Sequence, residues 1–140
     1  MLGKVFSSAT WTLLNKSMDT ACLRNTVIAD NIANADTPGF KRSRVIFEEN
    51  VKEALEKQTN DTRLKVTNFR HIQIGNKTSI ENIKPELKVI EDLSFRNDGN
   101  NVDIDVEMAE MSKNKIYYDA LGQCMSNEIR LLRTAITGRE

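Results

Sequence analysis

Apolar residues recur along the first part of the chain in alternating steps of three and four: Trp11, Leu14, Met18, Ala21, Ile28, Ile32 and Ala35, with Asn25 the one polar member. Such steps return to one face of an α-helix, so the seam predicts a helix from about Ala9 to Ala35, roughly 40 Å long at about 1.5 Å per residue. Leu13, Thr20 and Val27 flank it, making the apolar surface wider than one partner helix needs.

The end of the chain repeats the pattern. Ile104, Met108, Met111, Tyr118, Met125, Ile129, Leu132 and Ile136 follow the same steps, interrupted by Lys115 and Gly122. A second stripe of Tyr117, Leu121, Cys124, Glu128, Leu131 and Ala135 lies beside it. This predicts a helix from about Asp103 to Ile136, roughly 50 Å long, again with surface for more than one neighbour. Asp103 or Asp105 is its expected cap, with Glu107 in the favourable first turn, although the alternation of Val102, Ile104 and Val106 also suits a strand.

The region between has no sustained period. Asp36-Thr37-Pro38-Gly39 should stop the first helix and form a type II turn, because Pro disfavours helix before it and Gly accepts positive φ. Val45-Ile46-Phe47 reads as extended, and Glu48 to Gln58 carries Val51, Ala54, Leu55 and Gln58 at helical spacing. Residues 59–101 read as loop with one or two short strands, at Ile72-Gln73-Ile74 and Leu87-Lys88-Val89-Ile90, before the turn cluster Asn97-Asp98-Gly99-Asn100-Asn101.

The expected fold is therefore mainly α, with long terminal helices pairing as an antiparallel coiled coil. Three parts follow: residues 1–35 as the N-terminal core helix, 36–101 as an outer turn, short helix and irregular middle, and 102–140 as the C-terminal core helix. About half of the residues in 5–35 and 102–136 are apolar, against roughly a quarter in 59–101. Two helices packed side by side bury one face each, so the remaining stripes point to assembly with other copies. Asn25, Asn31, Asn34 and Lys115, in or near the seams, are expected to fix register rather than add stability.

Length and charge narrow the reading further. The 140 residues suit one folding unit, and 20 basic residues cancel 20 acidic ones, so no global field favours nucleic acid or an anionic surface. The uncharged stretch from Val5 to Asn15 contains Ser7, Ser8, Thr10 and Thr12; it is a poor signal-peptide core and too short to span a bilayer. Cys22 and Cys124 are far apart in apolar contexts and are expected to be small core residues.

Candidate chemistry is sparse. His71 is the only histidine and has no ligand-spaced partner, which argues against a metal or catalytic role; pairing it with Cys22 as a nucleophile lacks an oxyanion-hole motif. The acidic run Asp98, Asp103, Asp105, Glu107 does not follow the EF-hand order and is better read as a turn with helix-start charge. Lys41-Arg42-Ser43-Arg44 lacks an aromatic platform and suits a solvated loop or a contact to an acidic protein surface. No phosphate loop is present. The residues thus point to a helical assembly subunit with no catalytic site, no cofactor and no metal.

Against this background, the run Asn31-Ile32-Ala33-Asn34-Ala35-Asp36-Thr37-Pro38-Gly39-Phe40-Lys41, directly after a long helix, closely resembles the signature of bacterial flagellar rod and hook proteins. The second half agrees: Asn97 to Asp103, then Glu107-Met108-Ala109-Glu110-Met111 and a terminal helix, resemble the C-terminal part of the proximal rod proteins. Thr67 with His71-Ile72 is similar to a short pattern in the middle of rod proteins. The resemblance covers about residues 10–58 and 95–138. The chain is too short for the extra domains of hook and distal rod proteins, and its turn motifs fit the proximal rod type better than the short FlgC type.

The resemblance implies a non-enzymatic structural subunit of the basal-body rod, transmitting torque from ring to hook and lining the export channel with its terminal helices. It implies export through the flagellar type III apparatus without a cleavable signal, and a place in the periplasmic space. The implied partners are other copies, the rod proteins FlgC, FlgF and FlgG, and the adaptor FliE, with no nucleic acid and no membrane insertion. The expected assembly seam is Leu14, Met18, Ala21, Ile28, Ile32, Met108, Met111, Tyr118, Met125, Ile129, Leu132 and Ile136. The rival reading from another class is a cytosolic helical adaptor or export chaperone, and the weakest is an enzyme.

Overall fold

A computed structural model of the chain describes residues 9–59, 82–91 and 97–138. The element order is α1 (Ala9–Ala33), β1 (Ser43–Ile46), α2 (Glu48–Thr59), β2 (Glu86–Val89) and α3 (Ile104–Thr137). Among the described residues no helix is long and apolar enough to cross a membrane. The extended piece expected at 72–74, the 67–72 pattern and His71 lie outside the described residues.

The long helices pack antiparallel. Asn31 near the end of α1 meets Glu107 in the first turn of α3, while Ala21, farther back, meets Asn114, farther on. At about 1.5 Å per residue α1 spans roughly 37 Å and α3 roughly 51 Å. Carrying the pairing back from Ala21, the last three turns of α3 or so run past the start of described α1.

Local chemistry explains the ends. The α1 hydrogen-bond ladder tightens at Asn34, whose N–H donates to Asp30 O at 3.1 Å and Asn31 O at 3.2 Å, and the chain continues as turn to Asp36. Thr37-Pro38-Gly39-Phe40 then forms the expected type II turn: Gly39 has φ 74° and Phe40 N donates to Thr37 O at 3.3 Å. At the start of α3 the helix prevails over the strand alternative, because Asp103 accepts from the N–H groups of Asp105 at 3.0 Å and Val106 at 3.4 Å.

β1 and β2 form an antiparallel ribbon in which Ser43 faces Val89, Arg44 faces Lys88, Val45 faces Leu87 and Ile46 faces Glu86. Beside it Phe47, Ala54 and Ile83 make a small buried cluster, with Leu13 and Val51 packed against it. Lys16 Nζ donates to Ile83 O at 2.7 Å, and Arg24 Nη2 binds both carboxylate oxygens of Glu48 at 2.8 Å. The outer segment is thus laid along α1.

Two expectations are corrected here. Cys22 and Cys124 are not core residues; both are exposed. They also cannot pair within one chain: Cys124 lies ten residues beyond Asn114, which is level with Ala21, so about 15 Å of helix separates it from the level of Cys22, beyond the roughly 7 Å that a disulfide spans. Asn25 and Lys115, expected in or near the seams, are exposed rather than buried.

Candidate functional site

The buried face of α1 is made of Ser17, Thr20, Ala21, Val27, Ile28 and Asn31. Their spacing is helical, but the residues are mostly small, and small side chains let the α3 backbone come close. The buried residues of α3 are Glu107 and Asn114, both polar. The helix pair therefore meets through polar groups set among small residues, where the hydrophobic pattern alone would place its largest apolar side chains.

Those polar groups form a directional lock. Asn31, 1% exposed, donates from Nδ2 to Ser43 O at 2.9 Å and to Glu107 Oε2 at 3.1 Å, while its Oδ1 accepts from Ser43 N at 2.9 Å. Glu107, also 1% exposed, has its other oxygen 2.7 Å from Arg42 Nη2. One amide and one carboxylate thus tie α1, α3 and the start of β1 together. Farther along, Asn114 Nδ2 donates to Ala21 O at 2.9 Å.

A second lock joins the two turn motifs. Asn100 is fully buried, and its Nδ2 donates to the carbonyls of Asn34, Ala35 and Thr37 at 2.9, 3.0 and 2.9 Å. These carbonyls lie in the turns just after α1, where that of Asn34 also accepts from Thr37 N at 3.0 Å and that of Thr37 from Phe40 N at 3.3 Å. Its Oδ1 accepts from Val102 N at 2.7 Å. Asn101 accepts from Arg42 N at 2.7 Å and donates to Ile90 O at 2.8 Å; Lys41 Nζ donates to Gly99 O and Gly39 N to Asp98 O. A Cβ on Gly99, itself at φ 75°, would stand 3.9 Å from Gly39 Cα, so the two glycine turns lie back to back.

The motif residues 31–41 and 97–103 therefore clasp each other across more than fifty residues of chain. Asn31, Asn34, Thr37, Pro38 and Gly39 build the clasp, Ala35 is buried in it, Phe40 is half-buried, and Ala33 is exposed. Sequence reasoning placed Asn31 near a seam but missed Asn100 and Glu107, which it read as turn and helix-start charge.

The residues of the expected seam divide. Ala21 and Ile28 are buried on the face of α1 that meets α3, and Leu14, Met18, Ile32, Met111, Met125 and Leu132 are half-buried. Tyr118 at 38%, Met108 at 50%, Ile129 at 52% and Ile136 at 73% are exposed. With Ile104, Val106 and Leu131 also exposed, α3 presents a long apolar surface that the other described residues leave open.

Among the described residues no group of three or more His, Cys, Asp or Glu side chains could hold a metal ion. The geometry offers positioning and contact surface, and among the described residues there is no nucleophile–base pair.

Comparison with known proteins gives this arrangement a place. A family model described as flagella basal body rod protein matches residues 24–41, from the middle of α1 through the Pro38-Gly39 turn. The chain is 33% identical over 125 residues to the flagellar basal body rod protein FlgB of Bacillus subtilis (strain 168), covering 89% of this chain and 91% of that one. It is 35% identical over 126 residues to FlgB of Borrelia hermsii, covering 89% and 93%, and 32% identical over 127 residues to FlgB of Aquifex aeolicus (strain VF5), covering 91% and 92%. With two such interlocked turn motifs, a helix pair whose apolar face the other described residues leave open, and relatives aligned over nearly their whole length, the chain belongs to the FlgB family of flagellar basal body rod proteins, structural subunits and not enzymes.

Proposed function

We propose that the chain is a subunit of the proximal rod that assembles through its terminal helices, helps to transmit torque from the ring toward the hook, and contributes α1 and α3 to the wall of the export channel. Export through the flagellar type III apparatus, a position in the periplasmic space, and contacts with FlgC, FlgF, FlgG and FliE belong to the same reading.

The observation that carries it is the division of labour on α3. The face toward α1 holds Glu107 and Asn114, while Met108, Ile129 and Ile136 lie half or more exposed. Apolar surface of that extent is costly in water, and burial against neighbours recovers roughly 25 cal/mol for each Å² covered. The clasp complements it: a torque-bearing subunit needs its outer segment held at a fixed angle to its helices, and directional hydrogen bonds to buried amides do this.

The test is Ile129→Lys. The side chain is exposed in the single chain, so helicity and the urea midpoint should stay within about 0.5 kcal/mol of wild type. Incorporation into basal bodies and motility should be lost, because the new charge would be buried at an assembly contact. Normal motility in this variant would overturn the proposal.

A further inference from the structure

We propose that the free edge of β2 is a pairing site for the β2 edge of a second copy of this chain, joining the two ribbons about a two-fold axis into one continuous antiparallel sheet. The contact is separate from the α3 surface on which the rod reading rests and stands without it.

The ladder fixes which backbone groups of the ribbon are spare. Ile90 N donates to Arg42 O at 2.9 Å, and the pairs alternate from there, so Arg44 with Lys88 and Ile46 with Glu86 exchange hydrogen bonds. The N–H and C=O groups of Ser43, Val45, Leu87 and Val89 therefore point away from the partner strand. On the β1 side this edge is closed at Ser43, whose N and O both bind the Asn31 side chain, and α1 lies there. On the β2 side, among the described residues, no further strand pairs with Leu87 or Val89, and they are 51% and 50% exposed. An open edge with exposed apolar side chains is a template for another strand.

The residues of β2 say which strand. Glu86 and Lys88 are exposed, and among the described residues neither is in an ion pair. Lys88 stands opposite Arg44, so its cross-strand neighbour within the chain repels it. When two β2 strands lie antiparallel with Leu87 opposite Leu87, each Leu87 gives and takes a hydrogen bond, and Val89 N–H of either copy meets the Pro85 carbonyl of the other. The same register sets Glu86 of each copy opposite Lys88 of the other, at the non-hydrogen-bonded positions where side chains stand closest. Sliding to the next hydrogen-bonded register, with Leu87 against Val89, would set Lys88 against Lys88. Pro85, which has no N–H to give, ends the pairing on either side. The edge is thus complementary to itself in hydrogen bonds, apolar contact and charge. A two-fold contact is closed and stops at two copies, so it belongs to the chain outside a growing assembly, where it covers an edge open to aggregation.

The test is sedimentation equilibrium of the full chain, run beside Ile129→Lys so that association through α3 is told apart; pairing through β2 should persist in that variant. Lys88→Glu or Glu86→Lys alone sets like charges opposite each other on both sides of the axis and should weaken the pair about tenfold. An equimolar mixture of these two variants, or the swapped chain carrying both substitutions, should restore it. Leu87→Pro should abolish the pair while circular dichroism stays that of wild type, because the Leu87 N–H is not used within the ribbon. In a mixture of unlabelled and 15N-labelled chains, a zero-length carbodiimide should yield a mixed-label peptide joining Glu86 to Lys88. A chain that stays monomeric when concentrated, association lost in Ile129→Lys, single reversals without effect, reversal without rescue, or Glu86–Lys88 links within one label only would each overturn the proposal.

Discussion

The two ends of the α1–α3 pair are held by different forces. At the turn end, Asn31, Glu107, Arg42 and Asn100 connect three segments through hydrogen bonds and an ion pair of 2.7–3.1 Å, and the central side chains are essentially closed to solvent. At the other end α3 continues past described α1 with Ile129, Leu131 and Ile136 exposed. Hydrogen bonds fix an angle because they fail when the geometry changes, whereas apolar contact tolerates any neighbour that excludes water. A rod subunit gains from keeping them apart: one end sets its shape before assembly, and the other stays adhesive until neighbours arrive.

The largest effect should come from breaking the lock. Glu107→Ala leaves the Asn31 amide without one acceptor and the half-buried Arg42 without its counter-charge, a loss of about 3–5 kcal/mol for a broken buried pair. Urea unfolding monitored by circular dichroism should give a much lower midpoint for Glu107→Ala than for Ile129→Lys. Equal shifts in the two variants would erase the distinction between the ends.

This division also explains what could and could not be read from the residues. The helix spans, the Pro38-Gly39 turn and the Asp103 cap follow local rules that act within four residues, and all were visible. The pairing face was visible on α1, where Ala21 and Ile28 of the seam and Thr20 and Val27 beside it are buried, but not on α3. There periodicity selects the most apolar stripe, Met108 to Ile136, whereas the buried residues are Glu107 and Asn114, polar groups that find partners on α1. Asn100 bonds to carbonyls more than sixty residues away, a relation that no spacing within its own turn reveals. Cys22 and Cys124 misled for the same reason: apolar sequence context on a helix does not state which side is covered.

Next in size is Asn100→Ala. It removes the donor that the carbonyls of Asn34, Ala35 and Thr37 share and the acceptor of the Val102 N–H; Asn34 O keeps Thr37 N and Thr37 O keeps Phe40 N, so the loss falls mainly at the Ala35 carbonyl and the buried Val102 N–H, at about 1–3 kcal/mol for a buried group left unsatisfied. Water can reach some of them once the side chain is gone, so a net loss of about 2–3 kcal/mol is expected. The sharper readout is local: amide exchange should accelerate at residues 34–40 and 98–102 while the middle of α1 and α3 stays protected. Uniform acceleration along both helices would mean that the clasp and the helix pair are one cooperative unit.

The smallest effect tests the outer segment, where Arg24 holds Glu48 at the start of α2. Burial pushes this carboxyl upward, but the Arg24 hydrogen bond, the backbone bond at Glu48 itself and the charges of Arg24 and Arg44 outweigh it and hold the pKa below 4.5. A carboxylate lowered on folding stabilises the fold fully above its unfolded pKa and loses that contribution as pH falls through the folded value. With the Glu48 side chain 54% exposed, solvent screening limits the pair to a few tenths of a kcal/mol. Urea midpoints of wild type and Arg24→Gln should therefore differ slightly at pH 7 and converge as the pH falls through the lowered folded-state pKa of Glu48, once the carboxyl is protonated in both states. A gap that persists at low pH would mean that Arg24 contributes by packing its aliphatic stem along α1, leaving the outer segment without an electrostatic tie to the helix pair.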